Sequence, residues 1–145
     1  MLKSEKFDEE IITLAAALNS FNILKTIDYS QGYLNLDRGN LSNGYILGEF
    51  SDQKGFEFIE SFQCFFDEFN HANKLEFFQP LYRQNHYPRL WVMLYPCKRH
   101  EAKMLDEINQ FGYLESSNSE FLKQRSYSMR KAWSELEKYL KTLKQ

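Results

Sequence analysis

Apolar positions recur along this chain with two distinct periods, and the periods divide it into helices and strands. Over residues 4–19, Phe7, Ile11, Leu14, Ala15 and Leu18 make one apolar stripe behind Ser4 and a first turn rich in acids, which predicts a helix. Residues 22–28, 33–37 and 45–50 read as short strands separated by Ser30-Gln31-Gly32 and by Gly39-Asn40 to Asn43-Gly44. Asn-Gly is a strong hairpin signal. Residues 52–72 return to the helical period, with Phe58, Phe62, Phe65, Phe66 and Phe69 on one side. That stripe reads as a face turned to the core.

Residues 75–82 and 89–95 predict a strand–loop–strand pair. Pro80 cannot donate to a ladder, which puts the first of these at a sheet edge or a bulge. The unbroken apolar run 90–95 suits an interior strand. A third helix is predicted over 98–111, stopped by Gly112, and a fourth over 119–143, with Ser119 as its cap. In the fourth, Leu122, Ser126, Met129, Trp133, Leu136, Leu140 and Leu143 alternate in steps of four and three, a heptad seam. The seam demands one long neighbour, from the same chain or from a second copy in a homodimer.

The resulting order is α-βββ-α-ββ-α-α: a single α+β domain over residues 1–145, with an antiparallel sheet of four to five strands packed by helices. Over residues 1–112 this order resembles that of small acidic secretion chaperones, which implies a protein partner. Residues 44–116 alone trace β-α-β-β-α-β, similar to the ferredoxin-like order of RNA-recognition modules. Neither likeness extends beyond element order to a motif.

Length and composition narrow the class. At 145 residues the chain can bury a core without metal or disulfide staples, and aromatics at 17% exclude a disordered chain. Cys64 and Cys97 fit a reduced compartment, or at most one bridge. The apolar octet 11–18 is preceded by Asp8, Glu9 and Glu10, where a signal peptide needs positive charge. These features predict a soluble cytoplasmic chain.

Net charge is only −2, but its distribution is polar. Residues 1–73 hold 5 Lys/Arg against 12 Asp/Glu, and residues 74–145 hold 13 against 8. Such a split suits either charge-steered association or mutual neutralisation within the fold.

Catalytic chemistry finds little support. Cys97 and His100 are spaced C-x-x-H, but the paired knuckles of a zinc site are missing. Glu68 and His71 make one Glu-x-x-His where di-iron bundles use two. Cys64, among phenylalanines, reads as a buried hydrophobe, whereas Cys97 beside Lys98, Arg99 and His100 is the more reactive candidate. Nucleotide, hydrolase and metalloprotease signatures are absent, so no cofactor or metal is expected.

Two surfaces then remain as candidates. Glu57, Glu60, Asp67 and Glu68 form an acidic helix face suited to a basic protein partner, such as a nuclease toxin. Lys98, Arg99 and His100 at a helix start, with Arg125 and Arg130 on the last helix, form an anion site for phosphate or RNA. The sequence favours the first: a non-catalytic binding module of inhibitor, immunity or secretion-chaperone type. An RNA- or phosphate-binding protein is the alternative.

Overall fold

Gly44–Phe50 alternates strictly between core and surface: Gly44, Ile46, Gly48 and Phe50 are buried, while Tyr45, Leu47 and Glu49 face outward. This is the period of a strand with one covered face, and it sets the register of the whole sheet. The computed structural model describes residues 9–79, 83–84, 87–98 and 113–143. In chain order the elements are α1 (Glu9–Asn19), β1 (Leu24–Ser30), β2 (Leu34–Asn35), β3 (Asn40–Ser42), β4 (Gly44–Phe50) and α2 (Gly55–Ala72). They continue with β5 (Glu76–Phe78), β6 (Arg83–Gln84), β7 (Tyr87–Tyr95), β8 (Tyr113–Glu115) and α3 (Ser119–Leu143).

The main sheet is antiparallel, in the order β1-β4-β7-β5, with β6 pairing the start of β7. A small second sheet has the order β2-β3-β8. The expected α+β architecture is therefore the observed one. β7 is interior, as its apolar run predicts, and β5 is a terminal strand, as Pro80 predicts. Of the strand expected over 75–82, β5 occupies 76–78 and residues 80–82 lie outside the described residues, while β6 adds a short pairing with β7 within the expected loop. The predicted helix over 98–111 lies outside the described residues except at Lys98.

The ferredoxin-like alternative is met only in part. β4, α2 and β5 form a split β-α-β unit with β7 between the two strands. The place beside β4 that β8 would need is taken by β1, and β8 pairs with β3 in the second sheet.

The core lies between the inner face of the main sheet and the three helices. Leu24, Ile46, Phe50, Phe77, Leu90, Val92 and Leu94 come from the strands. From α2 come Phe58, Ile59, Phe62, Phe66 and Phe69, confirming the phenylalanine stripe as core. Edge-on and stacked rings link α2 to the sheet and onward to α3: Phe50–Phe58 at 5.5 Å, Phe66–Phe77 at 4.8 Å and Phe77–Trp133 at 5.5 Å. Each such pair contributes about 0.5–1.5 kcal/mol beyond simple area burial.

α1 packs on α3 and β1 through Ile11, Leu14, Ala15 and Leu18. Leu122, Met129, Trp133, Leu136 and Leu140 of α3 are all 1% exposed or less, so the heptad-like seam is filled within one chain. The cap of α3 sits one residue earlier than expected. Asn118 Oδ1 accepts the Phe121 N–H at 3.2 Å, leaving Ser119 as the first helical residue.

Asn43-Gly44 does not make a hairpin. The tight turn is the one joining β2 to β3, where Gly39 adopts φ +67°. Gly44 is required for a different reason: a Cβ there would lie 2.8–2.9 Å from the Gln31 and Ser30 carbonyl oxygens. Chain crossing at close range, and not turn chemistry, selects that glycine.

Candidate functional site

Helical spacing decides which side chains α2 sends outward. With Phe58, Phe62, Phe66 and Phe69 committed to the core, Glu57, Glu60, Cys64, Asp67, Glu68 and His71 are left on the opposite side, and all six are exposed. The four predicted acidic residues thus share one face over three turns. None of their carboxylates forms an ion pair among the described residues.

Like charges three or four residues apart repel by a few tenths of a kcal/mol per pair in an isolated helix. On α2 the phenylalanine face is what outweighs this.

Cys64 lies in the middle of the acidic stripe and is exposed, whereas Cys97 is fully buried. The environments expected from sequence are thereby exchanged. Cys64 has phenylalanine neighbours in the chain but stands two residues from Phe62 and Phe66, on the far side of a 3.6-residue turn. Cys97, despite its basic neighbours, is packed into the core behind β7.

The nearby Tyr139 ties α3 to this helix. Its hydroxyl donates to the Ser61 carbonyl at 2.5 Å, and its ring stacks on Phe65 at 5.0 Å. Burial pushes its pKa above the ordinary tyrosine value, helped by negative charge on Cys64 and Glu68.

Of the predicted anion-binding residues, Lys98, Arg125 and Arg130 are described. Lys98 is half-buried, and Arg99 and His100 lie outside the described residues. Arg125 donates to the Pro96 carbonyl and lies over the Phe121 ring at 4.8 Å. Arg130 is committed to Glu10, donating from Nε at 3.1 Å and pairing from Nη2 at 3.0 Å. Both guanidiniums thus fasten α3 to neighbouring segments.

Among the described residues, mutual neutralisation of the two charge halves occurs at two points, Arg130–Glu10 and Arg89–Glu49, the latter at 3.2 Å across paired strands. No ion pair among the described residues reaches the acidic face of α2.

Two cavities are lined by described residues. One of about 530 Å³ opens between the β2–β3 turn and the start of α3, lined by Asp37, Arg38, Glu115 and three serines. Another of about 330 Å³ lies between the end of α2 and α3, beside Lys74, Phe121 and Arg125. Neither is lined by Cys64 or Cys97. Among the described residues no three His, Cys, Asp or Glu side chains are grouped as metal ligands, and no helix is long and apolar enough to cross a membrane.

Sequence reasoning missed Asn19 and Asn70, which bond the backbones of the two terminal strands of the main sheet. Their positions at or near helix ends gave no signal, because the strands they serve are distant in pattern. Comparison with protein-family models, with curated proteins and with solved structures finds no match for this chain.

Proposed function

We propose that this protein is a non-catalytic binding module that takes a basic protein partner on the acidic face of α2, in the manner of an inhibitor, immunity protein or secretion chaperone. The observation that carries the reading is the exposure of Glu57, Glu60, Asp67 and Glu68 on one helix face, with no ion pair among the described residues. Basic side chains of the C-terminal half pair elsewhere: Arg130 with Glu10, Lys141 with Glu137, Lys123 with Glu120. A face of one sign steers a partner of the other and fixes its orientation. The phenylalanine packing beneath fixes the helix that carries the carboxylates before binding, which lowers the ordering cost.

The alternative of RNA or phosphate binding draws on Arg125 and Arg130, whose guanidiniums are engaged inside the fold. It is the weaker reading for that reason.

Affinity capture from native lysate, run with the wild type beside a variant carrying Glu57→Gln, Glu60→Gln, Asp67→Asn and Glu68→Gln, tests the proposal. A stoichiometric basic protein should be retained by the wild type, released by salt and lost in the variant. Absence of any stoichiometric protein at every salt concentration contradicts it. So does equal retention by both forms.

A further inference from the structure

A sheet that ends in open strands offers unpaired N–H and C=O groups to any other chain, and a natural protein has to close them. Among the described residues the main sheet ends in β1 and β5. At both ends an asparagine side chain bonds the strand's backbone. At β5, the Phe77 N–H donates to Asn70 Oδ1 at 2.7 Å, and Asn70 Nδ2 donates back to the Phe77 carbonyl at 2.9 Å. Phe77 lies opposite Leu94 of β7. Because backbone groups alternate in direction along an antiparallel strand, those of Phe77 are the ones a further strand would use. The side-chain amide of Asn70, held by α2, therefore presents the donor and acceptor of a neighbouring peptide unit.

At β1 the Thr26 N–H donates to Asn19 Oδ1 at 2.7 Å, from the last residue of α1. Thr26 is opposite Gly48, and the ladder slips directly after it, with Thr26 and Asp28 flanking a bulge. Beyond the bulge Asp28 Oδ1 accepts the Tyr29 N–H at 2.8 Å, while its Oδ2 accepts the Tyr45 hydroxyl at 2.8 Å. This strand needs protection, since Ile27 is 48% and Tyr29 38% exposed. An exposed apolar edge is an aggregation hazard.

We propose that Asn19 and Asn70 are edge guards: Asn70 holds the N–H and carbonyl of Phe77, Asn19 holds the N–H of Thr26, and each so denies its end of the main sheet to a strand from another chain. Recognition of a partner by strand addition at these positions is excluded as a consequence, leaving side-chain surfaces to do the work. The inference does not depend on which partner the acidic helix takes.

The test pairs sedimentation with amide exchange. Wild type and an Asn19→Ala/Asn70→Ala variant are sedimented over the same concentration series, with near-ultraviolet dichroism reporting the fold. The folded variant should gain mass with concentration while the wild type does not. A folded variant that sediments like the wild type overturns the proposal. So does a wild type whose Thr26 and Phe77 amides gain protection as its own concentration rises. Should the variant fail to fold, exchange in the dilute wild type decides: those two amides should be as slow as their ladder-bonded neighbours, and exchange at the rate of a free amide rejects the guards.

Discussion

The Trp133 indole donates a 3.1 Å hydrogen bond to the Gln31 backbone carbonyl, joining the middle of α3 to the turn that follows β1 across 102 residues of chain. Trp133 is wholly buried and its ring meets Phe77 of β5 edge-on. One side chain thus fastens α3 to the turn after β1 and to the opposite edge strand. Trp133→Phe removes the donor, orphans a carbonyl and leaves a void. It should cost about 2–4 kcal/mol in urea unfolding, with the slope on denaturant unchanged.

Beside that contact, Gly32 has φ +103°, and a Cβ built on it would lie 2.7 Å from Met129 Cε and 2.9 Å from the Ser42 carbonyl oxygen. Both backbone conformation and space exclude a side chain there. Gly32→Ala should destabilise by more than about 1 kcal/mol, read from the shift in the urea midpoint. A change within experimental error would show that the turn relaxes freely.

The Arg130–Glu10 pair holds α1 on α3 with both side chains only partly exposed, at 35% and 24%. A double-mutant cycle with Arg130→Met and Glu10→Gln should give a coupling of about 1 kcal/mol, at the upper end for ion pairs near a surface. The coupling should persist in moderate salt, because partial burial limits screening.

Tyr45 gives the fold an alkaline limit. The hydrogen bond to Asp28 raises its pKa above the ordinary tyrosine value, with burial and the negative charge of Asp28 acting in the same direction. The folded state then holds the phenolic proton more tightly than the unfolded chain does. This contribution is complete below the unfolded pKa near 10 and is lost as pH rises through the higher folded value. Asp28→Asn should move the Tyr45 phenolate transition, followed by ultraviolet absorbance, back towards lower pH. Tyr45→Phe should flatten the fall of stability with alkali.

The two thiols should separate cleanly in labelling. Cys64 is exposed and should react with a maleimide in the native protein, whereas Cys97, at 0% exposure, should react only on unfolding. Native labelling of Cys97→Ala at one site, and none of Cys64→Ala, is the expected pattern, counted by intact mass.

Much of this arrangement was legible in the sequence because it follows from periodicity. The phenylalanine spacing of α2 places both its core and its acidic face, and the run 90–95 locates the interior strand. The environment of Cys64 was readable from the same spacing, since it stands out of phase with Phe62 and Phe66; chain neighbours obscured it. What could not be read is non-local. β3 and β8 are three residues each and exist by pairing with one another across the chain. Gly44 resembled a turn glycine, and only the proximity of Gln31 reveals its role. Likewise, the pairing of Arg130 with Glu10 joins residues 120 apart in the chain.

The central claim, that the acidic face of α2 meets a basic protein, can be tested from within that face. A benzophenone attached to Cys64 sits among Glu60, Asp67 and Glu68 without altering any carboxylate. Illumination in native lysate should give one salt-sensitive covalent adduct with a basic protein, absent from Cys64→Ser. An empty lane at low salt, or an adduct with RNA in its place, would contradict the account.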